Sequence, residues 1–400
     1  MVKSDFLVIG GGIIGLNIAR QLKRLYPDLT VTVIEKEPQC GTHASGRNSG
    51  VLHAGFYYTP DSLKAKFTRV GNLRLSEYCE SKNIPVNKCG KLVVTKSQAD
   101  FTGLEELVRR ARANAIPVQE VTEQEAKALE PRVKTFERAL YSPTTSTVDP
   151  RLVLQQMATD AQREGVRIHC GVHYVSRKAK KIYTSKEPYL AGYVVNAAGL
   201  FADVIARDYG FSQEYKILPF KGLYLYSNEA AGSIRTNIYP VPDLGNPFLG
   251  VHVTVTADGK AKIGPTAIPV FWREHYGGLA NFNLGEFFDL FVRQVHLLIS
   301  SEFDFKRLAV QEIQKYSRKH LVSLIADLLD GVHPSQFQSW GVPGIRAQLV
   351  HVKTRKLEMD FVLEGDDRSM HILNAISPGF TCALPFAEYV CEEIQRVSKA

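Results

Sequence analysis

Gly10, Gly12 and Gly15 stand in the spacing G-x-G-x-x-G, and Glu35 follows about twenty residues after the last of them. Residues of those types at that spacing can hold a dinucleotide. The glycines permit a tight turn and close backbone approach, the helix they open points N–H groups at a pyrophosphate, and the acid can accept a ribose hydroxyl. An acid in that place suits an unphosphorylated ribose, so FAD or NAD fits better than NADP. The competing reading is a glycine-rich structural turn. The flanking segments argue against it, because DFLVIG before the turn reads as a buried strand, the residues after it have helical periodicity, and VTVIE reads as a second strand.

The elements beyond this βαβ unit are less regular. A polar, glycine-rich loop runs from Gly41 to Pro60, and helical signals follow at about Leu63–Lys82 and Asp100–Asn114. Residues Val86–Thr95 and Leu140–Val148 read as strands or loops of a second region. A helix at about Arg151–Glu164 leads into VRIHCGVHYV, the short strand YVVNAAG spans Tyr193–Gly199, and another helix starts at Ala202. Alternation typical of strands dominates 218–256 and 260–269. This order implies two interleaved regions, one of them assembled from separated pieces of chain.

Composition sets the limits. The 400 residues, 44% hydrophobic and 22% charged, describe a globular protein with chain enough for two or more cores. The six cysteines, Cys40, Cys79, Cys89, Cys170, Cys382 and Cys391, lack C-x-x-C spacing, so no metal site is indicated and free thiols in a reducing compartment are expected. No stretch approaches the roughly twenty apolar residues of a spanning helix, and the first strand begins too close to Met1 for a signal or transit peptide. The expected location is cytoplasmic, or peripheral on the inner face of the cytoplasmic membrane. A net charge of +8 without clustered basic and aromatic runs argues against nucleic acid as a partner.

VVNAAG separates the two cofactors. Its small residues Ala197, Ala198 and Gly199 let backbone pass close to a ligand. Together with the first glycine turn it resembles the paired signature of FAD-dependent oxidoreductases of the D-amino-acid oxidase and glycerol-3-phosphate dehydrogenase superfamily. A third piece, NAISPGFTCALPFAEYVCEEI, turns into an amphipathic helix whose opening N–H groups at Gly379, Phe380 and Thr381 would favour negative charge. In that superfamily such a helix start faces the flavin ring. The resemblance implies an α/β (α+β) fold in which a Rossmann-like FAD-binding domain is interleaved with a substrate domain built on a largely antiparallel sheet. The FAD-binding domain would comprise 1–85, 145–215 and 335–400, and the substrate domain 86–144 and 216–334.

SGRNSGVLHAGFYYTPDSLKA, from Ser45 to Ala65, resembles a signature of the L-2-hydroxyglutarate dehydrogenase and oxidase family, as do CGKL at Cys89–Leu92, NIYPVPD at Asn237–Asp243, PFLGVH at Pro247–His252 and GIRAQ at Gly344–Gln348. Three positions depart from that family's pattern: Lys221 in PFKG replaces arginine, Thr266 in GPTA replaces asparagine, and SPGFT at Ser377–Thr381 replaces SPAAT. Lys221 keeps the charge but loses the bidentate fork of a guanidinium.

Oxidation of a 2-hydroxy acid needs a proton acceptor, a hydride acceptor and cations for carboxylates. His53 and His252 are the base candidates, since neutral imidazole takes a proton near physiological pH and both lie in segments matching the family. Arg346 is the first choice for a substrate carboxylate, Lys221 the second, and Tyr57, Tyr58 and Tyr239 could donate hydroxyls. For the cofactor, contacts are expected from Gly10, Gly12, Ile13, Ile14 and Gly15 in the turn, Glu35 and Lys36 after the second strand, and Thr42, Ser45, Asn48, Ser49 and Gly50 in the loop. Tyr174, Ala198, Gly199, Gly379, Phe380 and Thr381 complete the set.

Asn281–Phe303 contains Phe287, Phe288, Leu290, Phe291, Val295, Leu298 and Ile299, a pattern suited to lying at a membrane surface, where a quinone could accept electrons, or equally to a core or dimer helix. The expected function is FAD-dependent oxidation of L-2-hydroxyglutarate to 2-oxoglutarate, with electrons passed to a quinone or membrane acceptor or to oxygen. The alternatives are a same-fold flavoenzyme acting on another 2-hydroxy acid, glycerol 3-phosphate or an amino acid, and a flavin-binding protein with a structural or regulatory role.

Overall fold

The computed structural model describes residues 1–243, 249–300 and 305–398. Pro247 and Phe248 of PFLGVH, and residues 301–303 of the aromatic segment, lie outside the described residues. The chain forms an α/β fold of two units, Met1–Arg47, Pro150–Pro219 and Arg346–Ala400 in one, Asn48–Asp149 and Phe220–Ile345 in the other.

The first unit is built on a sheet whose central strands run in the order Val362–Gly365, Ser369–Asn374, Tyr189–Asn196, Val2–Ile9, Val31–Glu35 and Arg167–Cys170. All of these neighbours are parallel except the first pair, and the edge strands Lys181–Thr184 and Tyr174–Lys178 are antiparallel additions. Parallel strands covered by helices must be apolar on both faces. Accordingly Leu7, Val8, Val31 and Val33 are all fully buried. The helix Ile13–Leu25 turns Leu16, Ile18, Ala19 and Leu22 inward and ends on Lys23 and Arg24, whose charges suit a helix C-terminus.

The second unit is built on an eight-stranded sheet in the order Phe337–Trp340, Leu225–Ser227, Ala261–Gly264, His252–Val255, Asn237–Pro240, Lys91–Val94, Arg138–Ser142 and Gln119–Thr122. Only Asn237–Pro240 and Lys91–Val94 pair in parallel. Because side chains alternate along a strand, Leu92, Ile238, Val253, Ile263 and Leu225 share one face, where they pack on Leu321, Val322 and Ile325 of the helix Arg318–Ala326. Each such buried side chain contributes about 1.5–3 kcal/mol. The opposite face carries Lys91, Val93, Tyr239, His252 and Lys262.

Residues 48–85, grouped with the nucleotide region from sequence, fold with this second unit. Val51–Leu52 pairs with Ser146–Thr147, and Asn72, on the helix Leu63–Ser81, donates to the carbonyls of Leu52 and Thr144. That pairing joins segments about ninety residues apart, a long-range link that local patterning does not reveal.

Candidate active site

In the first unit the two sequence signatures form one structure. The end of Val2–Ile9 and the end of Tyr189–Asn196 lie side by side, and Gly10 has φ +110°, with a Cβ at that position falling 2.5 Å from the Ala197 carbonyl oxygen. A Cβ on Gly15 would fall 2.0 Å from the Gly10 carbonyl oxygen. These glycines are therefore required by the protein's own backbone packing. Gly199 adopts φ +55° with open space around its missing side chain, as a position of close ligand approach requires.

The turn is braced by side chains expected to meet the cofactor. Glu35 is buried, and its carboxylate accepts hydrogen bonds from Gly11 N at 2.7 Å and Glu37 N at 2.9 Å. Ser45 Oγ accepts from Ile13 N at 3.0 Å, in the first turn of the helix. Ile13 is buried and Ile14 half-buried beside it. Lys36 pairs with Glu37 at 2.6 Å, and this lysine, with His43, holds the Glu37 carboxyl below its usual range. Thr42 Oγ1 donates to the Gln39 carbonyl. Ala198 N donates to Asn196 Oδ1 at 3.2 Å. The Tyr174 hydroxyl donates to Asp208 at 2.8 Å, while Val172, two residues earlier, is the residue whose N–H reaches the Glu35 carbonyl.

The third nucleotide segment differs from expectation. The C-terminal helix begins at Ala383, not at Gly379. Gly379 N donates to the Ile376 carbonyl and a Cβ there would fall 2.4 Å from the Ala375 carbonyl oxygen, so this N–H is occupied inside a preceding turn. Phe380 is half-buried and Thr381 buried in the same turn. Asn48, Ser49 and Gly50 belong to the second unit, where Asn48 Oδ1 accepts from Gly50 N and Ser49 Oγ from Val51 N. The backbone N–H donors of the turn and helix N-terminus, with the Glu35 carboxylate as acceptor, form a set that fits the ADP portion of a dinucleotide.

In the second unit, His53, Tyr57, Tyr239 and His252 come together although up to 199 positions (53 to 252) separate them in the chain. Tyr239 and His252 are cross-strand neighbours on adjacent strands, and their rings stack with centroids 3.6 Å apart and planes 16° apart. His252 Nδ1 lies 2.8 Å from the Gly250 carbonyl oxygen. A carbonyl only accepts, so Nδ1 carries the proton and the lone pair of the neutral ring is on Nε2. His53 is held well below the ordinary histidine value, first by burial and then by the positive charge of Lys91, with a smaller repulsion from His252 whenever that ring is protonated.

The loop carrying His53 and Tyr57 is fixed from the helix Phe101–Ala113. Arg110 donates to the Tyr57 carbonyl at 2.7 Å while its guanidinium is held by Glu106, and Asn114 donates to the Tyr58 carbonyl at 3.0 Å. Burial raises the Tyr57 phenol well above its normal range, and the same holds for Tyr239. Tyr57 Oη has no hydrogen-bond partner among the described residues.

Lys91 was missed by sequence reasoning. Its side chain is fully buried, its Nζ has no hydrogen-bond partner among the described residues, and it stands 4.2 Å over the ring of Tyr239, 5.1 Å over Tyr57 and 5.6 Å over Phe56. The available signal was a charged residue at the first position of KLVV, on the face shared with Val93.

The remaining predicted residues are carried by other elements. Lys221 is buried and that burial lowers its ammonium, while burial first and the Lys221 charge second push the nearby His275 down to about 4. Thr266 is buried and its hydroxyl bridges backbone, donating to the Lys221 carbonyl at 2.9 Å and accepting from Leu223 N at 3.0 Å. Arg346 is half-buried on the strand Gly344–His351, where the last segment of the first unit begins.

The helix Leu284–Ser300 buries Leu290, Gln294 and Leu297 and leaves Phe288, Phe291, Val292 and Ile299 exposed. Among the described residues, no helix is long and apolar enough to cross a membrane.

Comparison with known proteins identifies the family and the fold. The chain is 34% identical to the mitochondrial L-2-hydroxyglutarate dehydrogenase of Nematostella vectensis over 97% of this chain and 90% of that protein. It is 33% identical to the L-2-hydroxyglutarate dehydrogenase of Indibacter alkaliphilus, over 96% and 97% of the two chains. Among solved structures it resembles FAD-bound L-alpha-glycerophosphate oxidase from Mycoplasma pneumoniae, with a TM-score of 0.76, 22% identity and coverage of 100% and 96%. Glycine oxidase from Geobacillus kaustophilus follows the same fold, with a TM-score of 0.74, 17% identity and coverage of 99% and 95%. The family model DAO, FAD dependent oxidoreductase, matches residues 5–393, and the chain belongs to that family.

Proposed function

We propose that this protein oxidises L-2-hydroxyglutarate to 2-oxoglutarate with FAD as its cofactor. The observation that carries the reading is the grouping of His53, His252, Tyr57 and Tyr239 on one face of the second unit's sheet, supported by near-full-length likeness to L-2-hydroxyglutarate dehydrogenases. In this reading the glycine turn of the first unit holds the ADP portion of FAD, and the His53, Tyr57, Tyr239 and His252 cluster of the second unit meets the substrate's hydroxyl.

Flavin, when bound, supplies the hydride acceptor for the substrate's alpha carbon. The turn Gly10–Gly15 and the start of the helix Ile13–Leu25 hold its pyrophosphate, with Glu35 and Ser45 fixing the turn. Asn48, Ser49, Gly50, Ala198, Gly199, Gly379, Phe380 and Thr381 supply further cofactor contacts. His252, with its lone pair on Nε2, takes the hydroxyl proton as hydride leaves, and neutral His53 orients the hydroxyl. Arg346 pairs with one carboxylate through its planar fork, Lys221 attracts the other, and the Tyr57 and Tyr239 hydroxyls line the site.

The Thr266 departure from the family pattern does not weaken this assignment, since its hydroxyl is used by backbone. The exposed aromatic and aliphatic side chains of Leu284–Ser300 support a quinone or membrane acceptor over oxygen.

The test is product analysis. Turnover of L-2-hydroxyglutarate with an artificial electron acceptor must yield 2-oxoglutarate in one-to-one ratio with acceptor reduced. Consumption of glycerol 3-phosphate or an amino acid, with none of the 2-hydroxy acid, would overturn the reading.

A further inference from the structure

Lys91 is a charged side chain against the rings of Tyr57 and Tyr239 that neither the sequence reading nor the proposed reaction uses. Its position is specified by several independent elements. Gly90, with φ +67°, turns the chain into the strand Lys91–Val94, and Asn237 locks that turn by donating to the Gly90 carbonyl at 2.8 Å while its Oδ1 accepts from Val255 N at 2.9 Å. Lys91 then pairs across the sheet with Asn237 on one side and Ser142 on the other, which directs its Nζ beneath the rings of Tyr239, Tyr57 and Phe56. Those ring faces attract a cation. Among the described residues no carboxylate pairs with it: the titratable groups facing Lys91 are His53 and Tyr57 from the loop, Tyr239 from the next strand with His252 stacked behind it, and Cys89 from the preceding turn.

A buried amine with no anion beside it is costly to fold around, and apolar side chains of similar length would fill the same space without that cost. Retaining lysine in such a place is explained by what its charge does to its neighbours. We propose that Lys91 is a positioning residue for the site: held 4.2 Å from the Tyr239 ring and 5.1 Å from the Tyr57 ring, its ammonium gives the sheet face that carries His252 a positive potential that draws in a dicarboxylate and disfavours a second positive charge on His53. This rests on the reading of that face as the hydroxy-acid site. Burial also brings the lysine down to about 7, so its charge, and with it the potential, is lost as the pH rises through neutrality.

The experiment compares the flavin-loaded wild type with Lys91→Met. The variant is expected to keep its flavin spectrum and an unchanged or raised Tm. Its KM for L-2-hydroxyglutarate should rise about tenfold at pH 6, the acid limb of kcat/KM should move up by about one pH unit, and the alkaline fall near neutrality should disappear. Histidine-selective 15N NMR gives a readout that needs no substrate: the His53 titration must move up in Lys91→Met. Unchanged His53 titration with a superimposable pH profile would overturn the proposal, and so would a variant that fails to fold, which would make Lys91 a structural residue. If the wild type does not react with L-2-hydroxyglutarate, the substrate reading falls, and the NMR comparison still decides the role of Lys91.

Discussion

The imidazole of His252 lies flat against the ring of Tyr239, centroids 3.6 Å apart, because the two residues are cross-strand neighbours on Asn237–Pro240 and His252–Val255. That stacking fixes the ring plane, and the Gly250 carbonyl fixes the tautomer. A base presented in this way needs no reorganisation before it accepts a proton. Replacement of His252 by Gln keeps the size and the bond to Gly250 but removes the basic nitrogen. The expected result is a kcat lower by about two to four powers of ten with KM little changed. The measurement is anaerobic flavin reduction by stopped flow, in which His53→Gln should show the smaller loss.

The glycine turn is rigid for steric reasons. In Gly15→Ala the new methyl meets the Gly10 carbonyl oxygen at 2.0 Å, so the turn must open. The expected cost is about 1–3 kcal/mol of stability, with a lower flavin-to-protein absorbance ratio. Gly199→Ala meets no atom within 4 Å and carries only the strain of φ +55°, so its effect on Tm and flavin content should be smaller.

Thr266 tests the claim that its departure from the family pattern is structural. Thr266→Val leaves Leu223 N without its acceptor and the Lys221 carbonyl without its donor. Thermal unfolding should show a loss of about 1–3 kcal/mol, while kcat/KM for L-2-hydroxyglutarate stays at the wild-type value. A change of substrate preference in this variant would contradict the structural role.

Acid sensitivity should trace to His371. This ring is fully buried, bonded to Asn196 and Ser369, and burial lowers it to about 3. Because the unfolded chain binds a proton at about 6.5 and the folded chain does not, the contribution is full above pH 6.5 and is lost as the pH falls below it. The loss is about 1.4 kcal/mol per pH unit at most, or roughly 2 kcal/mol by pH 5. Urea unfolding at pH 7 and pH 5 should show that difference, reduced in His371→Gln.

Much of this was legible in the sequence, for identifiable reasons. The strand, turn and helix at 2–25 are local features, and the helices at Leu63–Ser81, Phe101–Ala113 and Pro150–Arg163 fall within a residue or two of their expected bounds. What was not legible depends on long-range pairing. The close approach of Gly10 to Ala197 is set by parallel strands nearly two hundred residues apart in the chain (9 and 196). Lys91 looks like an exposed charge until Phe56, Tyr57 and Tyr239 arrive from two distant segments to cover it. The occupied N–H of Gly379 depends on a turn at Ile376 that helical periodicity does not encode.

The most direct test of the proposed activity is anaerobic mixing of the flavin-loaded protein with L-2-hydroxyglutarate, its D enantiomer and glycerol 3-phosphate in separate experiments. Rapid, complete loss of the oxidised flavin absorbance with the L acid alone is the predicted result. Bleaching by the D acid or glycerol 3-phosphate in its place, or by none of the three, would contradict it.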